Sequence, residues 1–370
     1  MRPEKPPPQP PAALRLDLDC AALAANWRAL DRLSGKAAAA AAVKADGYGL
    51  GARAVLPVLW REGCRDFFVT YAGEAADLLD LVPSSAIALL HGPLTAADAD
   101  WARATGVRPV INSLEQAARW HAAGGGLCDV MVDTGINRLG LPMAALGDPL
   151  IAALEVDVLH SHLASADEDV PLNVRQLARW EESRRALPHA RASLANSAGI
   201  VLGERYHGQL TRPGLALYGG VPRAELAGEI AQVARPMAAV MQVREIGEGD
   251  GIGYNQTFIA RRAMRIGVIA LGYGDGYLRN WSGKGSARWQ GAALPVLGRV
   301  SMDMTVIDLP LRLACARAIG SRSTTRCRRR RQRAACPNTS CLPCLAIVSP
   351  AEPVALLRSR QLLHCRCCTC

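Results

Sequence analysis

Eight times within about 200 residues, a short apolar segment gives way to a polar or glycine-bearing turn. The apolar segments are 37–43, 67–71, 86–90, 109–112, 128–132, 156–159, 192–194 and the one ending at Leu210. Stretches with helical spacing lie between them: Leu23, Trp27, Leu30 and Leu33 behind the N-cap candidate Asp19, then Val55, Leu56 and Leu59, then 73–81 and 114–120. Strands that alternate with helices pair in parallel and are covered on both faces. Eight such units predict an α/β fold built on a closed (β/α)8 barrel of TIM type. In such a barrel the working side chains stand at the carboxyl ends of the strands. Lys44, Asp133-Thr134-Gly135, His160-Ser161-His162, Ala195-Asn196-Ser197 and Thr211-Arg212-Pro213-Gly214 all follow their apolar segments there.

Past Gly220 the texture changes. Apolar runs at 238–243, 265–271 and 292–297 are separated by the glycine-rich turns 247–251 and 272–276, which reads as a mostly antiparallel β domain. The expected organisation is a disordered proline-rich arm (1–11), the barrel (12–228), a C-terminal β domain (229–310) and a tail (311–370). The tail holds twelve of the 43 basic residues, all arginine, and one of the 33 acids, Glu352. The first 310 residues therefore carry 31 basic and 32 acidic side chains, a balance that suggests neither nucleic acid nor an acidic membrane surface. The start of the chain has no signal-peptide core, and no apolar run is long enough to span a bilayer, so a cytoplasmic protein is expected. Three scattered cysteines (20, 64 and 128) in the body fit a reducing compartment.

Lys44 ends the first barrel segment and precedes Asp46-Gly47-Tyr48-Gly49-Leu50-Gly51. An amine held among apolar groups loses its proton more readily, and the neutral amine attacks an aldehyde. Lys44 thus reads either as a Schiff-base lysine beside a phosphate cradle or as a solvated strand end. Ser197 reads as a phosphate ligand or a helix cap, Arg212 as a site residue or a surface ion pair, and His162 as a coupling group or a structural histidine.

Eight motifs in order set these alternatives in a family context. They are VKADGYGLG (43–51), VDTGINRLG (132–140), SHLASADE (161–168), LANSAG (194–199), TRPGLALYG (211–219), GIGYNQTF (251–258), LGYGDGYLR (271–279) and GRVSMDM (298–304). Over about residues 15–310 the chain resembles the alanine racemases, fold-type III pyridoxal-phosphate enzymes. The resemblance implies an isomerase that interconverts L- and D-alanine, supplies D-alanine for peptidoglycan, and works as a homodimer with active sites shared between subunits. It implies that Lys44 carries pyridoxal 5′-phosphate and that Tyr48, Asn196, Ser197, Gly214 and Leu215 hold the phosphate end. Arg212 would face the pyridine nitrogen, where a guanidinium cannot take up the proton that a carboxylate would share. Two bases on opposite faces of the substrate would be Lys44 and Tyr254, the latter from the partner subunit, with His162 between Arg212 and Tyr254. Arg138 and Met302 would bind the substrate carboxylate, and Tyr273, Arg279, Arg299 and Asp303 match the family's substrate access path. No metal is implied.

Two features depart from the family. A lysine that in many members is carbamylated and orients the arginine is replaced by Met131, seven residues before Arg138. After Leu309-Pro310 the family pattern stops, and a segment with a phosphate-binding tyrosine is missing; the tail has no aromatic residue, nine cysteines and the run Arg328–Arg331. That composition reads as GC-rich coding sequence translated out of frame. A zinc site at Cys341, Cys344, His364, Cys365 and Cys367 would need a second spaced pair that is lacking. An arginine arm for nucleic acid is the other reading. The open functional alternatives are a racemase impaired by its C-terminus and a racemase of broader or different amino-acid specificity. A non-catalytic pyridoxal-phosphate carrier would need no second domain, and a decarboxylase would need a cysteine between Cys128 and Cys315.

Overall fold

The computed structural model describes residues 12–310, 344–348 and 364–365. The proline-rich arm, the Arg328–Arg331 run and the tail cysteines at 315, 327, 336, 341, 367, 368 and 370 lie outside the described residues. Two compact units divide the chain, one formed by the described residues from Leu18 to Ala234 together with Cys365, and the other by the remaining described residues.

The first unit is the barrel. After β1 (Leu14–Leu18) come β2 (Ala38–Ala39), β3 (Ala41–Ala42), β4 (Phe67–Val69), β5 (Ile87–Leu89), β6 (Arg108–Ile111), β7 (Leu127–Met131), β8 (Glu155–His160), β9 (Arg191–Ser193) and β10 (Leu210–Thr211). Strands β3 to β9 pair in parallel in chain order. β10 pairs in parallel with β2, Leu210 opposite Ala38, and the bridge between Asn196 and Arg212 joins the segments beyond β9 and β10. Since β2 and β3 are one segment interrupted at Ala40, the ring closes on eight staves, as the repeat predicts. Ala40, Phe68, Ala88, Val110, Met131, Val158 and Leu210, one from each of seven staves, form an apolar layer across the interior. In that layer large Phe68 packs with the small Ala40 and Ala88.

Helices wrap the outside where the apolar spacing predicts them. Cys20–Leu33 starts at Asp19, whose carboxylate accepts the Ala22 N–H at 3.0 Å, and it buries Leu23, Trp27 and Leu30. The helix expected over 73–81 is only Ala72–Ala76, because Gly73 weakens its first turn and the chain is already turning toward Pro83. Near the amino ends of the strands, Arg108 and Arg191 each pair with both Asp66 and Asp157 at 2.6–2.9 Å. This square of charges plugs the barrel end away from the candidate site.

The second unit contains β11 (Ala234–Ile246), β12 (Gly251–Ile252), β13 (Phe258–Ile259), β14 (Met264–Ile269), β15 (Ser286–Trp289), β16 (Ala292–Leu297), β17 (Thr305–Asp308), β18 (Cys344–Val348) and β19 (His364–Cys365). The order β14-β17-β16-β15-β18-β11 is antiparallel throughout, and β11 pairs back to β14, so six strands close a ring around Val240, Ile269, Leu294, Val296 and Ile307. Two expectations change here. β1 joins this sheet beside β11, so the barrel unit begins at Leu18 and runs to Ala234 rather than covering 12–228. The β domain does not stop at residue 310, because β18 from the tail fills the place between β15 and β11.

Candidate active site

Lys44 leaves β3 into a turn of left-handed hand. Ala45, Asp46, Gly47 and Tyr48 all have φ between +53° and +64°. Each non-glycine residue there is disfavoured by about 1–2 kcal/mol. Hydrogen bonds offset that cost: Gly47 N–H to Val43 O (2.8 Å), Gly49 N–H to Ala45 O (2.9 Å), Gly51 N–H to Asp46 O (2.8 Å) and Ala52 N–H to the Asp46 carboxylate (2.7 Å). Glu74 clamps the turn to the neighbouring strand, accepting the N–H groups of Ala45 and Thr70 at 2.7 Å each. Strain held in place by its surroundings marks functional segments, and here it delivers Lys44 and Tyr48 to one cavity of about 620 Å³ at the carboxyl ends of the strands.

Arg138, His162, Asn196, Ser197, Arg212, Gly214 and Leu215 line the same cavity. At one end Tyr48 stacks on Tyr218 with ring centroids 4.8 Å apart, and the Tyr218 hydroxyl donates to Ala42 O at 2.9 Å. Gly214 lies against Tyr48: an added Cβ would stand 2.2 Å from the phenolic oxygen, so only glycine fits. The Ser197 hydroxyl accepts the N–H groups of Gly214 (3.0 Å) and Ala216 (3.1 Å), and Asn196 Oδ1 accepts the Gly199 N–H (2.9 Å). Ser197 therefore ties the loop carrying Gly214 and Leu215 to the barrel.

At the deeper end Arg212 is buried. Its Nη1 donates to Ser193 O (2.8 Å), Ser193 Oγ (2.5 Å) and His160 Nδ1 (3.2 Å), and its Nη2 donates to Ser161 O (2.5 Å). Burial lowers its pKa to about 10, against the pull of Asp129. Lys44 is also lowered, first by burial and then by the Arg138 and Arg212 charges, with Glu74 opposing. His162 is lowered to about 3 by burial and the same cations, so it is neutral at physiological pH. The loop bearing Arg138 is built by Asp133, whose Oδ1 accepts the N–H groups of Gly135, Ile136 and Asn137 at 2.8–3.1 Å. Met131 packs in the apolar layer and supplies no charge to Arg138, so the backbone turn does the positioning.

Tyr254 and Met302 belong to the second unit. Both are exposed, at 63% and 61%, and the Met302 carbonyl accepts the Gly274 N–H at 2.7 Å. The candidate residues between Lys44 and Leu215 thus come together, while these two are presented on the surface of their own unit.

Sequence reading passes over Tyr218, Asp129 and Ser193, and sets His160 at a strand end without a role of its own. The signals were present. Period-two geometry puts His160 and His162 on one side of a strand, and Asp129 is a lone acid inside an apolar run.

This constellation matches family models along most of the chain. Residues 18–222 fit the alanine racemase N-terminal domain and residues 233–327 the alanine racemase C-terminal domain. The chain belongs to the alanine racemase family. Relatives include the alanine racemase of Methylobacterium nodulans, 41% identical over 307 residues covering 80% of this chain and 82% of the relative, and that of Rhizobium meliloti, 42% identical over 319 residues covering 80% and 84%. Among solved alanine racemases, that of Bartonella henselae, with covalently bound pyridoxal phosphate, has a TM-score of 0.76 and 31% identity, covering 93% of this chain and 92% of its own. The biosynthetic enzyme of Pseudomonas aeruginosa has a TM-score of 0.72 and 33% identity, covering 80% and 86%. The alanine racemase barrel and β domain are thus those of the fold described above. The C-terminal family match runs on to residue 327, beyond the limit at 310 set by the motifs.

Proposed function

We propose that this chain racemises alanine with pyridoxal 5′-phosphate carried on Lys44. The observation that supports this is the convergence of Lys44, Tyr48, Ser197 and Arg212, from the ends of three different staves, on one cavity. The donor set fits the cofactor. Lys44 is a half-buried amine with a depressed pKa, and a phosphate has hydroxyls at Tyr48 and Ser197 beside the bare backbone of Gly214. A ring nitrogen would meet Arg212, which can only donate.

When bound, the cofactor supplies the electron sink that acidifies the substrate Cα–H. Lys44 Nζ serves as the base on one face, its pKa lowered first by burial and then by the Arg138 and Arg212 charges. Tyr254 serves as the base on the other face, supplied by a second copy of the chain in a homodimer. Arg138 holds the substrate carboxylate, with Met302 of the second copy closing the pocket, and neutral His162 links Arg212 toward Tyr254. Supply of D-alanine for peptidoglycan in the cytoplasm is the role that goes with this activity; no described helix is long and apolar enough to cross a membrane.

The test is direct because the chain has only four lysines. Borohydride reduction of the purified chain loaded with pyridoxal phosphate should fix the label on Lys44, and Lys44→Ala should lose both label and alanine racemisation followed by circular dichroism. Label retained on another lysine would refute the assignment. Turnover of serine in place of alanine would favour the broader-specificity reading.

A further inference from the structure

Arg212 is a buried cation whose bonded partners are all neutral: Ser193, Ser161 and His160. No carboxylate among the described residues forms an ion pair with it. The nearest structured counter-charge is one imidazole away. Asp129, wholly buried, meets His160 Nε2 at 3.1 Å, accepts the Val158 N–H at 3.2 Å and lies 3.6 Å from Arg108 Nε. A guanidinium cannot accept, so His160 Nδ1 must present its lone pair to Arg212, and Nε2 must carry the hydrogen that Asp129 receives. Phe68 and the imidazole meet edge to face, their ring centroids 5.4 Å apart. The imidazole stays neutral because burial and Arg212 lower its pKa to about 4 despite Asp129.

We propose that Asp129 and His160 are positioning residues for Arg212: the carboxylate sets the imidazole tautomer, and the imidazole holds the inner edge of the guanidinium so that its other edge is presented, uncompensated, to the cavity. This deepens the reading of Arg212 as the partner of the cofactor's ring nitrogen and rests on it. A carboxylate bonded directly to Arg212 would pin it equally well but would quench its charge. Placing the imidazole between them keeps the orientation and spares the field, which is the work of a supporting shell behind a contacting group.

The experiment compares the affinity of the full chain, freed of cofactor, for pyridoxal 5′-phosphate and for its deaza analogue with CH in place of the ring nitrogen. The native chain is expected to prefer the nitrogen-bearing form by about tenfold, the scale of a hydrogen bond to a charged group. His160→Phe should bring that ratio toward one, and His160→Gln, which keeps an acceptor, should restore part of it. Asp129→Asn should lower the ratio too and carries the same test if His160→Phe does not fold. A merely structural role would weaken both ligands alike, so an unchanged ratio in the variants overturns the proposal. So does a native ratio of one with tight binding of both. A native chain that binds neither ligand refutes the cofactor reading itself and this inference with it.

Discussion

At the residue scale, His160 and His162 differ from ordinary histidines in refusing protons. Their pKa values fall to about 4 and about 3 from the usual 6.5, in both cases first through burial. Unfolded, each takes up a proton as pH drops through 6.5, while the native state does not. The unfolded chain therefore binds more protons across this window, and native stability falls as pH falls from 6.5 toward 4. We predict a lower urea midpoint at pH 5 than at pH 7, with His162→Asn reducing the slope by about one proton's worth. Equal slopes in the two proteins would mean that His162 titrates normally. The residues expected from the motifs, Lys44 to Leu215, were legible because chemistry at strand ends has few structural explanations. Asp129 was not, since a strand-interior acid declares itself only when the barrel closes and brings β7, β8 and β10 together, and His160, though it stands at a strand end, shows its place behind Arg212 only then.

At the element scale, the glycines of the Lys44 segment announce a sharp turn but not its hand. Three residues in it, Ala45, Asp46 and Tyr48, have side chains and still adopt positive φ, against their own preference. Such strain is imposed from outside, and Glu74 is the visible agent, thirty residues away in sequence and beyond the reach of local pattern. Glu74→Ala should leave two N–H groups without their acceptor and destabilise the chain by about 1–3 kcal/mol, while Glu74→Gln, keeping one acceptor, should cost less. The turn should also loosen, so pyridoxal phosphate should label Lys44 more slowly under borohydride. Unfolding curves and labelling rates would check both, and a variant unchanged in each would show that the turn holds itself.

At the scale of the whole molecule, repeat pattern and turn chemistry made the barrel and the antiparallel domain readable, whereas composition obscured the tail. A single acid and a surplus of arginine and cysteine drew the eye from Leu345-Ala346-Ile347-Val348, a short run with two β-branched residues that suits a strand. In the structure Ala346 pairs with Met237 on β11 and with Arg288 on β15, so β18 has neighbours on both sides and completes the ring of the second unit. An out-of-frame origin concerns the gene, and the pairing concerns the chain that results; a strand needs backbone N–H and C=O groups more than particular side chains. Proline at a doubly paired position removes a ladder donor, which is why proline is confined to edge strands, strand starts and bulges. We therefore predict that Ala346→Pro opens the ring between β11 and β15, speeds hydrogen exchange in both strands, and exposes two unpaired edges that promote aggregation. Truncation after Pro310 should do the same. Exchange in 237–239 and 286–288 that is indifferent to both changes would show that the second unit stands without β18.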